Sequence, residues 1–470
     1  MVNISTWCSG RRPGVSAGLA AVCALAVAVP MLALSGTAGA GKHRIATVDQ
    51  FLKATYSPVK LRAPGDPQEI RFDISCLPPD GDPEGAGVCD GGGTVYFRSA
   101  GGSTAVPLQV DSAAQTGRYV ASVPAGIWNA PWFSYYAVIQ DNTTGRTITV
   151  PPGGSSAPQF SFAVGAAPIG LGDHVFGDTR RADARVASAS WGSGDGQAGL
   201  EDGIDMPTGA ASFDVDSAGD VYLLDEANVR LLEFARGAAP TQIPLSGLAG
   251  VRADLRVNDT SGTVYVLESA NAAFPKPELR AYTLQGAALG TSPVADAAAA
   301  QVRLSGGTAF VSEYPSSMWA PVLQNNGRTA VDPSVQLSRA APGGPGRDGN
   351  VLVLSTGTEI RVGSYALVGS TYQLSAVRLT SSTPVADIQL AQTLPSGRML
   401  IVFSVYTDTQ HEYEAVVVDP SGTLVDQFSL PADDWAQSMP LSRFRLVGSS
   451  LYELGSTEAG VYVDRYDLGV

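Results

Sequence analysis

The stretch Met206 to Phe234, MPTGAASFDVDSAGDVYLLDEANVRLLEF, decides the fold. Phe213 and Val215 alternate with Asp214 and Asp216, the pattern of a half-buried strand. Ser217-Ala218-Gly219-Asp220 reads as a hairpin turn in which Gly219 is free to take positive φ. Val221-Tyr222-Leu223-Leu224 is apolar throughout and short enough for a strand buried on both faces. Asp225 to Asn228 form a second polar turn. Val229 to Phe234 alternate again, with Arg230 and Glu233 expected on the solvent face. Three strands joined by tight turns make a meander.

Pro207, Phe213, Val215, Asp216, Gly219, Val221, Tyr222, Asp225, Asn228, Arg230 and Phe234 give this meander the pattern of an NHL-repeat blade, which it resembles. The preceding WGSGDGQAGL (Trp191 to Leu200) is similar to the Gly-rich lead-in of such blades. The resemblance implies a β-propeller, a radial array of four-stranded sheets. Elementary packing agrees, because one blade cannot bury its own faces and needs neighbours on both sides.

Weaker copies follow. Ala253 to Gln285 repeats the pattern, with its turn at Thr260-Ser261-Gly262. A third unit starts near Val302, turns at Gly306-Gly307 and runs into a loop-rich region ending in APGGPGRDG (Ala341 to Gly349). A fourth spans Val351 to Leu379, a fifth Ile388 to Leu430 and a sixth Phe444 to Leu468. The sixth supplies three strands, and Arg185 to Ser190 is expected to give the fourth, which removes two open edges and closes the ring. Units of about 45–50 residues give about six blades, with five to seven compatible with the ambiguous stretch from Tyr314 to Asn350.

Upstream, residues 41–165 carry short β runs at Glu69 to Ser75, Thr94 to Arg98, Ala105 to Val110, Gly117 to Val123, Phe133 to Asp141, Thr147 to Val150 and Gln159 to Val164. Frequent turns between about seven strands suit an immunoglobulin-like sandwich. TVYFRSAGGSTAVPLQVD, GRYVASVPAG and WFSYYAVIQDNTTGR resemble β-sandwich modules found beside extracellular enzymes and binding proteins. The expected class is therefore all-β: a signal peptide over 1–40, a sandwich over 41–165, a linker over 166–183 and a propeller over 184–470.

Arg11 and Arg12, the apolar run Val15 to Leu34 and Ala38-Gly39-Ala40 read as a secretory signal with its cleavage site. Later segments are too short and polar to span a bilayer. Cys8 and Cys23 leave with the signal, and Cys76 and Cys89 form the predicted disulfide of an exported chain, stabilising by about 3 kcal/mol. The whole chain has 30 Lys and Arg against 44 Asp and Glu. Loss of Arg11 and Arg12 takes its net charge from −14 to about −16. Such acidity without basic runs argues against nucleic acid as a partner.

The chemical inventory is sparse. The three histidines, His43, His174 and His411, are not spaced as metal ligands or as part of a nucleophilic triad. Propeller lyases of the streptogramin type would need catalytic histidines that this sequence does not place. Asp214-x-Asp216-Ser-x-Gly219-Asp220 has the outline of a calcium loop, but it lacks the closing bidentate Glu and reads better as a hairpin. Asp225, Asn228 and Arg230 are candidates for a ligand-binding face, with the tying of blade turns as the commoner role for such residues. Asp433, Asp434 and Trp435 join acids to an aromatic in an inter-blade loop, a pattern able to contact a sugar or a metal, with a solvated loop and a packed Trp as the commoner reading. Trp128, Trp132, Phe133, Tyr135 and Tyr136 form either a binding platform or, more simply, a sandwich core.

The reading that follows is a secreted, non-catalytic ring that binds an extracellular protein, a glycan or a small molecule without a cofactor. The alternative is an extracellular hydrolase of lactonase type, with calcium held by Asp and Asn in the central channel; it rests on fold analogy. A purely structural envelope component differs from the first only in its partner.

Overall fold

The computed structural model describes residues 45–48, 52–76, 90–112, 117–165, 167–201, 207–248, 251–269, 276–295, 299–313, 318–436 and 443–469. The predicted signal peptide and Cys89 lie outside them. Cys76 ends a strand of the sandwich.

The N-terminal part is built from β1 (Ile45–Val48), β2 (Leu52–Tyr56), β3 (Leu61–Arg62), β4 (Glu69–Cys76), β5 (Gly91–Ser99), β6 (Gly102–Pro107), β7 (Gln109–Val110), β8 (Arg118–Ser122), the short helix α1 (Ala125–Trp128), β9 (Trp132–Asp141), β10 (Thr147–Val150) and β11 (Gln159–Ala163). They form two sheets, ordered β1-β2-β4-β8-β7 and β3-β11-β9-β5-β6, with β10 paired to β9. Alternation along β9 sends Phe133, Tyr135, Ala137 and Ile139 into a core shared with Leu52, Ala54, Tyr56, Ile70 and Phe72 of the opposite sheet. Each large apolar side chain so buried stabilises by about 2–3 kcal/mol. The aromatic cluster therefore divides: Trp128, Phe133 and Tyr135 are core, Tyr136 stacks on Tyr96 at 4.9 Å, and Trp132 meets Phe160.

Next come β12 (Ile169–Gly172) and β13 (Ala184–Ser190), then β14 (Ser212–Val215), β15 (Val221–Asp225), β16 (Arg230–Phe234) and β17 (Thr241–Pro244), which make the first blade. The second blade is β18 (Val251–Asn258), β19 (Thr263–Ser269), β20 (Glu278–Thr283) and β21 (Ala288–Pro293). The third is β22 (Ala299–Ser305), β23 (Thr308–Glu313), β24 (Met318–Gln324) and β25 (Thr329–Ala330). After helix α2 (Pro333–Gln336) and β26 (Ala341–Pro342), the fourth blade has β27 (Gly344–Gly346), β28 (Gly349–Ser355), β29 (Glu359–Val368) and β30 (Thr371–Ser381). The fifth is β31 (Val385–Thr393), β32 (Met399–Tyr406), β33 (His411–Val418) and β34 (Leu424–Leu430). The sixth combines β35 (Phe444–Val447), β36 (Ser450–Thr457) and β37 (Gly460–Asp467) with β13.

The blades form a closed β-propeller of six sheets. Strand β14 touches β18, β18 touches β22, β22 reaches β28 through β27, β28 touches β31, β31 touches β35, and β35 returns to β14. The apolar layers between blades explain the ring. Tyr222, Leu224 and Leu231 of the first blade pack with Leu255, Val264 and Tyr282 of the second, and Phe213, Leu223 and Leu232 pack with Tyr452, Leu454 and Val463 of the sixth.

Two blades take their outer strand from upstream. Strand β13 pairs antiparallel with β37, Ala189 facing Val461, as the sequence predicts for Arg185 to Ser190. Strand β12 pairs parallel with β30, Ile169 facing Leu379. That second pairing falls in the stretch read as linker. Its physical reason is that only three residues separate β30 from β31, so no outer strand can follow β30, and Ile169 and Leu171 cover its edge.

The sandwich is bolted to the fourth blade. Trp132 meets Tyr372 edge-on at 5.0 Å, Phe160 meets Tyr372 at 4.8 Å and Phe162 meets Tyr365 at 4.7 Å. Arg361 of β29 pairs with Asp66 and donates to the Leu61 carbonyl at 2.9 Å. Among the described residues, no helix is long and apolar enough to cross a membrane.

Candidate functional site

The inner strands carry a buried network of charge. On β18, Asp254 is fully buried; its Oδ1 accepts from Arg445 Nη2 at 2.7 Å, Ser212 Oγ at 2.9 Å and the Leu255 amide at 2.9 Å. Its Oδ2 accepts from the Val302 amide of the next blade at 2.8 Å. Asp214 of β14 accepts from the Val257 amide at 2.7 Å and lies 3.5 Å from Arg256 Nη1 and 3.6 Å from Arg445 Nε. Burial raises the Asp214 carboxyl above its usual range, and the two guanidinium groups oppose that rise. Arg256 donates to the Val302 carbonyl and Arg445 to the Phe213 carbonyl, each at 2.9 Å. Asp214 thus ties β14 to β18, Asp254 and Arg256 tie β18 to β22, and Arg445 ties β35 to β14, each by reaching a backbone group of the neighbouring strand.

Sequence reasoning missed this network: it set Asp214 on the polar side of a half-buried strand and in the outline of a calcium loop. A signal was present. The triplets Leu255-Arg256-Val257, Val302-Arg303-Leu304 and Phe444-Arg445-Leu446 put an arginine between apolar residues in three first strands. An arginine set between apolar residues of a strand is a candidate for burial, where a guanidinium calls for a partner.

The first blade places its candidate residues on a strand end and a turn. Asp225 is fully buried; its Oδ1 accepts from the Gly199 amide at 2.9 Å and its Oδ2 from Asn228 Nδ2 and Arg230 Nε, each at 2.8 Å. Asn228 also donates to the Gly192 carbonyl at 3.1 Å, and Arg230 to the Gln197 carbonyl at 2.7 Å. The three side chains clamp the loop between β13 and β14. Arg230 is 7 % exposed, so its expected place on the solvent face is corrected: pairing with the buried Asp225 draws it inward. In the hairpin, Asp216 Oδ1 accepts from the Ala218 and Asp220 amides at 2.9 Å, and Gly219 has φ of 88°. The carboxylates of the calcium-like outline thus point apart, Asp216 into its own turn and Asp214 to the second blade.

Asp433, Asp434 and Trp435 stand in the loop between β34 and β35. Asp433 accepts from the Tyr462 hydroxyl, and its carbonyl accepts from Arg443 at 2.7 Å. Asp434 and Trp435 face water, and the Trp435 ring lies 6.1 Å from that of Trp191. A shallow notch of about 10 Å³, no larger than one water, opens beside the Trp191 indole, lined by Gly209, Asp433, Gly455 and Ser456 among others. Asp225 and Trp435 therefore lie at the same end of the ring, joined through the loop that carries Trp191 and Gly192, but they do not form one site.

The two described histidines lie elsewhere. His174 is buried with Nε2 2.8 Å from Glu412 and Nδ1 3.3 Å from Glu414, latching the segment after β12 to the fifth blade. His411 packs edge-on against Tyr413 at 5.0 Å, and burial lowers its affinity for a proton. His43 lies outside the described residues. Among the described residues, no three His, Cys, Asp or Glu side chains converge as a metal-ligand set.

No protein-family model and no curated protein matches the chain. Solved structures similar to it include virginiamycin B lyase from Staphylococcus aureus, at 10% identity and a TM-score of 0.33, over 55% of this chain and 94% of that one. A functionally unknown protein from Desulfotomaculum acetoxidans DSM 771 is similar at 14% identity and a TM-score of 0.37, over 55% of this chain and 82% of that one. The WD40 propeller domain of Doa1 is similar at 13% identity and a TM-score of 0.31, over 61% of this chain and 94% of that one. The ring itself rests on the strand order and on the closing contact of β35 with β14.

Proposed function

We propose that this chain is an exported binding protein whose propeller presents a ligand face at the end carrying Trp191 and Trp435. The observation that carries the reading is the engagement of the central carboxylates. Asp214 and Asp254 are held by guanidinium groups and backbone amides, so the acids that a calcium-dependent hydrolase would place in the channel already act as ties between blades. The exposed indole of Trp435 beside Asp434 offers a stacking surface with an adjacent acceptor, the chemistry that suits a sugar ring. The apolar run Val15 to Leu34 with Ala38-Gly39-Ala40 supports export. The N-terminal sandwich is read as immunoglobulin-like. Its support is the order β2-β4-β8-β7 in one sheet, facing β11-β9-β5 with β3 running parallel to β11 in the other.

The test is retention of the full mature chain on insoluble cellulose, chitin and peptidoglycan, with and without chelator. The reading expects retention on one polymer, insensitive to chelator and lost in Trp435→Ala. Calcium-dependent opening of a lactone above background would favour the hydrolase, and retention unchanged by Trp435→Ala would remove the proposed face.

A further inference from the structure

Arg303 stands apart from the other arginines on the inner strands. It lies on β22, next to Val302, whose amide and carbonyl are taken by Asp254 and Arg256. Among the described residues its side chain has neither ion pair nor hydrogen bond; the guanidinium lies 5.0 Å from the Trp319 ring centroid. It is enclosed by protein yet keeps part of its surface open to water. Burial, together with repulsion from Arg256 and Arg445, pulls it down to about 10, with Asp254 opposing. Arg256 and Arg445 are matched by Asp214 and Asp254, while Arg303 has the Trp319 ring and no carboxylate. A desolvated cation held among like charges is costly unless an anion joins it. The fork is also given room: a Cβ at Gly344 of β27 would collide with it.

We propose that Arg303 on the inner strand β22, held over Trp319 and against Gly344, is an oxyanion site of the propeller, taking the carboxylate or phosphate group of a small ligand. A planar guanidinium matches either group through two parallel hydrogen bonds. The site goes beyond the polymer-binding face and is separate from Trp435, so loss of one leaves the other in place.

The test is thermal melting of the full mature chain in acetate, citrate, inorganic phosphate and chloride at matched ionic strength. A saturable rise is expected with a carboxylate or with phosphate, whichever is the natural head group, and not with chloride. Arg303→Gln should abolish that rise while melting no lower than the parent in chloride, because it removes an unpaired charge. Arg303→Lys and Gly344→Ala, which keep the charge but lose or displace the fork, should need at least tenfold more anion for the same rise. Arg347→Gln, at an exposed position, should behave as the parent. Equal melting in all four salts overturns the proposal, as does a rise retained by Arg303→Gln. Collapse of the Arg303→Gln fold in chloride would make the residue a structural tie and overturn it equally.

Discussion

Arg445 on the first strand of the last blade donates to Asp254 on the first strand of the second blade at 2.7 Å, with Ser212 of the first blade bonded to both. The contact spans the place where the ring closes. Both side chains are almost wholly buried. Removing one partner leaves the other charge uncompensated, so Arg445→Met or Asp254→Ala alone should cost about 3–5 kcal/mol. The double variant should cost less than the two singles together. Urea denaturation of the four proteins checks this, and additive costs would show that the pair is not coupled.

Val229 has φ of 54° in the turn between β15 and β16, a conformation that a β-branched residue tolerates badly. The residue is 37 % exposed, so little packing is lost on replacing it. Val229→Asn should raise stability by about 1 kcal/mol. A fall in the urea midpoint would mean that the turn relaxes otherwise.

Glu453 sets a pH dependence. Burial lifts its carboxyl to about 7, against the pull of Arg443 at 3.5 Å and of the Tyr466 hydroxyl donating at 2.9 Å. The folded chain keeps a proton that the unfolded chain releases at the usual glutamate value of about 4.3. Between these values the folded state binds more protons, so this group's contribution to stability falls as pH rises through the window and levels off above it. Relative to the parent, Glu453→Gln should gain on the order of 3 kcal/mol from pH 4 to pH 8. Denaturation at both pH values measures the difference; an unchanged difference would place the titration elsewhere.

Tyr372 contacts Trp132, Phe160 and Phe162 across the junction of sandwich and propeller, and Tyr365 of its own blade. Tyr372→Ala should cost about 3 kcal/mol and separate the two parts on heating. Calorimetry should show one transition in the parent and two in the variant. Two transitions already present in the parent would mean that the junction does not couple them.

The legible parts of the fold were those written in local pattern. Alternation and turn residues in Ser212 to Phe234 announced a blade, and the three strands left at the C-terminal end required a fourth from Arg185 to Ser190. The pairing of β12 with β30 was hidden, because Ile169-Gly170-Leu171-Gly172 has the composition of a linker and becomes a strand only against a partner over 200 residues away. The stretch from Tyr314 to Asn350 was ambiguous because its order depends on side chains such as Gln336. That residue donates to the Pro293 and Val331 carbonyls at 2.9 and 3.0 Å and accepts from the Ala295 amide. Arg230 looked solvent-facing by alternation, but alternation does not register that Asp225, its cross-strand neighbour, is buried. Arg256, Arg303 and Arg445 lie far apart in sequence, and only closure of the ring brings them together.

The central claim is that Asp214 and Asp254 serve arginines and backbone amides while the ring acts by binding. Its most direct test is the melting temperature of the chain from Gly41 onward in calcium chloride against the same salt with excess chelator. The account predicts curves that coincide within about 1 °C, as for a folded state that gains no calcium. A chelator-reversible rise of several degrees, lost in Asp214→Asn, would contradict it.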